Sequence, residues 1–383
     1  MNTKKIQFTF VAPVLLSFFV MSFCDLVGVG VDNAKADFGL NNTLAQLIPM
    51  AVFAWFFLLA VPVGLLQERI GKRNMLNIGM LLTALGLLLP FFIYSFFTLM
   101  AGFALLGIGN TTIQVSANPL LIDVVPSKRS SSFLSLSQFV KAVGSMVAPY
   151  LATYFALQFG NWKLLLLLFG GVSLLSVVWL HFTKISETPA REEKATVASC
   201  LRLLGNGYIA LMVLGIFFVV GLDVGINSSS GQFLMEKMNM DSGPAMQGRS
   251  LYFLGKMLGT FLGALLLTRL SSKKFLLGSS LGTLATVLFF IYSPTPFLAI
   301  VLMFLIGLAA SNIFPLIFSI TVTRFKQRSN EISGLMIMAV SGGAFIPPIV
   351  GKITDLSSIT AGMYVFVACS VYLIGVSLYS LKK

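Results

Sequence analysis

Charge is what this sequence is short of. Only 10 % of its 383 residues are Asp, Glu, Lys or Arg, whereas a soluble globular domain carries roughly 25 %. A chain of this length with so little charge cannot keep its surface wetted in water. Histidine occurs once, at His181, which removes His-rich metal chemistry. The three cysteines, Cys24, Cys200 and Cys369, are too few and too scattered for a disulfide framework or a zinc site. No nucleophile–base pair and no Gly-x-x-x-x-Gly-Lys-[Ser/Thr] loop is present. An enzyme and an ATP-driven pump are therefore excluded, and no cofactor is expected. Acidic residues number 13 against 26 basic ones. No soluble segment is long enough to gather the basic residues on one nucleic-acid-binding face.

What the chain has instead is apolar length. Residues of the AVILMFWYC set make up 57 % and the mean hydropathy is +0.92. A bilayer-spanning helix needs about 20 mostly apolar residues. Breaks at clusters of charge, Gly, Pro, Asn and Ser leave spans near 8–31, 44–66, 74–95, 97–122, 131–158 and 162–183. A second set follows near 206–235, 247–269, 274–292, 295–322, 331–354 and 359–381. The first run has no small-x-small cleavage site and reads as a spanning helix, not a signal peptide. The expected fold is an all-α polytopic membrane protein of about twelve transmembrane helices. Continuous apolar runs exclude a transmembrane barrel.

The loops alternate in charge. Lys4/Lys5, Arg69/Lys72/Arg73, Lys128/Arg129, the 184–202 stretch, Arg269/Lys273/Lys274, Arg324/Lys326/Arg328 and Lys382/Lys383 fall on one side. Asp32/Lys35/Asp37, Lys163, Glu236/Lys237/Asp241 and Asp355 fall on the other and nearly balance. The positive-inside rule then puts both termini in the cytoplasm of a cell (inner) membrane protein. The polar stretch 184–205 reads as a cytoplasmic linker between six-helix bundles at 1–183 and 206–383, too short to bury a core of its own.

The two halves repeat with a period near 200. Gly64-Leu-Leu-Gln-Glu68-Arg69-Ile-Gly71-Lys72-Arg73 is answered by Gly263 to Lys274, and Asp25-Leu-Val-Gly28 by Asp223-Val-Gly225. Pro119 matches Pro315, and Ala142-Val-Gly144 matches Ala339-Val-Ser341. Parallel six-helix repeats with a site between them near the midplane are a transporter architecture.

The loop signature Gly64…Glu68-Arg69-Ile-Gly71-Lys72-Arg73 resembles that of the major facilitator superfamily. Ala117-Asn118-Pro119 in the fourth span and Phe314-Pro315-Leu-Ile-Phe-Ser319 in the tenth resemble its fucose/glucose-galactose/hexuronide permease branch. The resemblance implies a secondary transporter that imports a monosaccharide with a cation, H+ or Na+, by alternating access. It also implies a monomer in the lipid bilayer. Gly64 is expected to allow close helix approach, Glu68 to face a helix N-terminus and Arg69 to anchor the loop at the headgroups. There are departures from the branch. Gln114 stands where relatives carry a glutamate, the first-helix carboxylate Asp25 is about a turn early, and Lys141 replaces a neutral polar residue.

Ionisable groups inside spans are costly and usually line a cavity or pair. Asp25 is the first candidate for cation coupling and Asp223, its repeat mate, the second. Gln114 and Asn118, four apart, share one face of the fourth span, and Gln138 and Lys141, three apart, share one face of the fifth. With Asn227 and Asn312 they are the candidate substrate-binding residues, since amides suit sugar hydroxyls. Lys141 admits two roles, a pair with Asp25 or attraction of an acidic sugar. Lys256 reads as structural or gating, bonded to helix carbonyls or to Asp223. Transport of acidic sugars or organic anions, drug export and a non-transporting membrane sensor are the competing functions.

Overall fold

A computed structural model describes residues 8–125, 130–185, 187, 197–267, 270–325 and 328–382. The terminal lysines Lys4, Lys5 and Lys383, most of the linker, Lys128, Arg129, Arg269 and Lys326 lie outside them, as does the side chain of Glu68. Twelve helical rods follow. They are α1 (Phe8–Phe38), α2 (Leu47–Ile70), α3 (Lys72–Phe92), α4 (Phe96–Val124), α5 (Ser130–Phe159) and α6 (Leu164–Phe182). The second set is α7 (Gly207–Met238), α8 (Ser242–Leu266), α9 (Ser272–Ile291), α10 (Pro296–Ala310 continued by Ile313–Arg324), α11 (Ser329–Met338 continued by Gly342–Leu356) and α12 (Ile359–Lys382). Short helices precede α2 (Asn42–Ala45) and α7 (Val197–Arg202). Eleven of the rods are long and apolar enough to cross a bilayer, and α8, which carries Arg249 and Lys256, falls short.

The packing repeats as the sequence does. α2 and α3 lie on α4, and α3 on α6; in the second set α8 and α9 lie on α10, and α9 on α12. Between the sets α1 meets α7, α5 meets α8 and α2 meets α11. Exchanging the two sets maps the second of these pairs onto the third, as two six-helix pseudo-repeats around a common axis require. Phe57, Leu58, Leu85, Phe97, Leu175, Phe289 and Leu378 are exposed, and these are the side chains that hydrocarbon covers instead of water.

The spans match the sequence reading closely except at the start of the eighth, which begins at Ser242 instead of 247, and at the end of the first. α1 runs on to Phe38, so Asp32, Lys35 and Asp37 belong to its last two turns and not to a loop. The helix can continue through three charges because each finds a partner. Asp37 accepts hydrogen bonds from Tyr94 (2.5 Å) and Trp162 (3.1 Å). Burial, and then that hydrogen bond to Asp37, push the Tyr94 phenol up. The partners of Asp32 and Lys35 come from the opposite set of helices.

Candidate functional site

α1 is not uniform. Ser22–Leu26 tightens into a 3-10 turn, a feature that in mid-helix often marks a functional hinge, and such a turn leaves carbonyls in need of donors. Two asparagines supply them. Asn110 of α4 donates from Nδ2 to the Met21 carbonyl (2.7 Å), and Asn227 of α7 donates to the Asp25 carbonyl (2.9 Å). Gln114 in turn donates to Asn110 Oδ1 (3.1 Å). The Asp25 carboxylate, at the same turn, accepts from Ser145 Oγ of α5 (2.5 Å) and from the Cys24 thiol (3.7 Å).

Asp223 on α7 is held differently. Lys256 Nζ of α8 lies 2.6 Å from Asp223 Oδ2, and the Tyr252 hydroxyl donates to Oδ1. Lys141 of α5 is within electrostatic reach of both Asp25 and Asp223, yet among the described residues it forms no ion pair with either. The four charged side chains expected from the sequence thus assemble where α1, α5, α7 and α8 meet, two carboxylates against two ammoniums. The close Asp25–Lys141 pair is not formed.

The amides divide. Gln114 and Asn118 are half-buried, and Asn118 donates to the Gln114 carbonyl (3.3 Å). Gln138 is exposed and Lys141 half-buried. Asn227 and Asn312, expected to face substrate, are buried and committed to helix packing. Asn227 serves the Asp25 carbonyl, and Asn312 donates to the Gly259 carbonyl of α8 (2.7 Å) and to Ser311 Oγ (2.9 Å).

Above this cluster, towards the end opposite the chain termini, lies a lock that the sequence reading missed. Arg249 of α8 is fully buried. It pairs with Asp32 of α1 and donates from Nε to the Asn227 carbonyl (2.5 Å). Gln232 of α7 donates to the other Asp32 oxygen (2.9 Å). One turn further out Lys35 reaches Gln232 (2.8 Å), Asn42 (2.8 Å) and Glu236 (2.6 Å). Asp355 of α11 accepts four hydrogen bonds from the start of the Asn42–Ala45 helix, two from backbone N–H groups and two from side chains. Gln46 donates to Ser229 (3.2 Å). Every one of these contacts except Lys35–Asn42 and Arg249–Asn227 joins the first six helices to the second six, so that end is bonded shut. The close approach depends on Gly231, where a Cβ would collide with the Arg249 guanidinium and the Asp32 carboxylate.

The signature loop lies at the other end. Gly71 takes a φ of +92°, a conformation that favours glycine, between α2 and α3. The first N–H groups of α3, on Lys72 and Arg73, donate to the Glu187 carboxylate (2.6 and 3.0 Å). The anion at this helix N-terminus therefore comes from the segment after α6. Lys72 pairs with Asp123 (2.6 Å) and Arg73 donates to the Thr183 carbonyl (2.8 Å). Arg69 is exposed at the end of α2. A Cβ on Gly64 would only touch Val115 at 3.9 Å, so no tight helix crossing requires that glycine.

The model of the Major Facilitator Superfamily matches residues 13–346 and 212–382. A glucose/galactose transporter of Brucella abortus (strain 9-941) is 25% identical over 392 residues, covering 97% of this chain and 94% of its own. Among solved structures, the E. coli fucose:proton symporter superposes with a TM-score of 0.72 at 19% identity, over 97% of this chain and 98% of that one. A D-xylose-proton symporter reaches a TM-score of 0.80 at 13% identity, over 99% and 98%.

Proposed function

The chain belongs to the major facilitator superfamily, and from that premise we propose that it imports a monosaccharide together with a cation, H+ in preference to Na+, by alternating access. The observation that carries the reading is how differently its two central carboxylates are held. Asp25 is met by a hydroxyl and a thiol. A hydroxyl both donates and accepts, so Ser145 can satisfy Asp25 whether it is ionised or protonated. Asp223 is met by the Lys256 ammonium, which only donates and loses its counter-charge if the acid is neutralised. Asp25 is therefore the coupling group, and Asp223 a fixed charge that holds α7 to α8.

The substrate class is supported by the balance of the cluster and by the relatives. Two carboxylates and two ammoniums leave a substrate no net charge to answer, as suits a neutral sugar. The Brucella abortus relative, matched over nearly its whole length, is named a glucose/galactose transporter. Gln114, Asn118, Gln138 and Lys141 are the side chains we assign to the sugar hydroxyls. Alternating access is supported by the bonded outer end: a structure of the related fucose transporter fold is in the outward conformation, while this chain has that end closed. Basic loops at the end bearing both termini support a cytoplasmic placement of that end in the inner membrane.

Proteoliposomes given an inward proton gradient should accumulate labelled glucose or galactose against its gradient. Asp25→Asn should abolish accumulation and leave exchange intact; accumulation by that variant overturns the assignment. A second reading, transport of an acidic sugar, rests on the absence of an ion-pair partner for Lys141 among the described residues. Loss of uronate but not glucose uptake in Lys141→Gln decides for it.

A further inference from the structure

Far from the charge cluster, at the end that carries both termini, a cavity of about 390 Å³ opens between the start of α7, the end of α10 and the last turns of α12. Its walls are Asn206, Gly207 and Tyr208 from the first, Arg324 and Phe325 from the second and Tyr379 from the third. Tyr208 is 5% exposed, and its buried hydroxyl has no hydrogen-bond partner. The Arg324 guanidinium stacks over the Tyr208 ring, 4.2 Å from its centroid, and the Tyr379 ring lies 5.9 Å from the same ring. Arg324 is exposed and has no carboxylate partner among the described residues. Asn206 spends its side-chain oxygen on the N–H groups of Tyr208 and Ile209 (3.0 and 3.4 Å), which leaves its NH2 group as a donor.

The polar side chains on these walls therefore have protons to offer and no negative charge to offer. An aromatic girdle at the membrane surface accounts for the tyrosines, but not for an arginine that stacks on one of them inside a cavity and has no carboxylate partner among the described residues. The guanidinium fork matches two oxygens of a phosphate, and basic pockets between helices at the membrane surface suit anionic headgroups.

We propose that this cavity binds a phosphate group, either that of an anionic lipid headgroup or that of a soluble phosphate ester, through Arg324 and Asn206, with the Tyr208 ring holding the guanidinium in place. The site is separate from the transport reading and stands without it. The test is the thermal midpoint of the purified full chain in detergent, titrated with phosphatidylglycerol, with phosphatidylcholine, or with inorganic phosphate and glucose 6-phosphate. Phosphatidylglycerol should raise the midpoint and phosphatidylcholine should not. Arg324→Gln should weaken the apparent affinity about tenfold, the loss of one charge-assisted hydrogen bond, and Tyr208→Leu, which removes the ring beneath the guanidinium, about threefold. A rise with the soluble phosphates alone, still dependent on Arg324, identifies the source as cytosolic. No rise with any probe, or a rise equal in wild type and both variants, overturns the site.

Discussion

Replacing Asp32 by Ala should unlatch the outer end. In the closed form the Arg249 side chain is 0% exposed and that of Asp32 5% exposed, so water screens the pair very little. Removing one partner from a buried pair costs about 3–5 kcal/mol, because the remaining charge stays desolvated and alone. The penalty falls on the closed form; once α1 parts from α8, Arg249 is hydrated. The closed-to-open ratio should therefore drop by about two to more than three orders of magnitude. Ser229, 1% exposed and bonded to Gln46 across the same interface, gives a reporter. In Ser229→Cys protein a membrane-impermeant maleimide added from outside should react slowly, and in Ser229→Cys/Asp32→Ala at least ~100-fold faster. The double replacement Asp32→Leu/Arg249→Met should recover much of the protection, since an apolar pair of similar volume carries no unpaired charge. If labelling changes less than about threefold when Asp32 is lost, the pair does not hold the outer end and the reasoning fails.

Other consequences follow the same geometry. Gly231→Val, which drives a side chain into the Asp32–Arg249 pair, should raise maleimide labelling as Asp32→Ala does without removing a charge. Asn110→Ala leaves the Met21 carbonyl with only the weak Cys24 thiol as donor (3.2 Å); loss of the stronger hydrogen bond costs about 0.5–1.5 kcal/mol, read as a fall of a few degrees in thermal midpoint. Glu187→Ala uncaps the start of α3, a loss of about 0.5–2 kcal/mol that should be seen as faster amide exchange at Lys72 and Arg73. Ser145→Ala should lower gradient-driven accumulation while Ser145→Thr, which keeps a hydroxyl, retains most of it.

Composition and periodicity made the twelve spans and the pseudo-repeat legible, because a bilayer imposes length and apolarity residue by residue. Asp25, Lys141, Asp223 and Lys256 stood out for the same reason, as costs that only a shared interior can offset. Arg249 did not, since reading the eighth span from 247 placed it among the residues at a helix end, where arginine is cheap; the helix in fact begins at Ser242. One signal was available. Asp32 follows Asp25 by two helical turns on one face, so a second buried acid needed a second buried base. The roles of Asn110 and Asn227 were hidden because they answer a local tightening of α1 that leaves no mark in hydropathy. Asn312 looked free for a sugar because a helix wheel shows which way a side chain points, but not which carbonyl of a neighbour waits there.

The carboxylate of Asp355 has a consequence beyond closure. The short Asn42–Ala45 helix receives its anionic cap in trans, from α11 in the opposite half. A single helical turn without such help is marginal in water, so parting the halves and fraying this turn are one event. The backbone amides of Asn42 and Thr43 are thus a native clock for the outer door, their deuterium uptake counting how often it stands ajar, with no label attached.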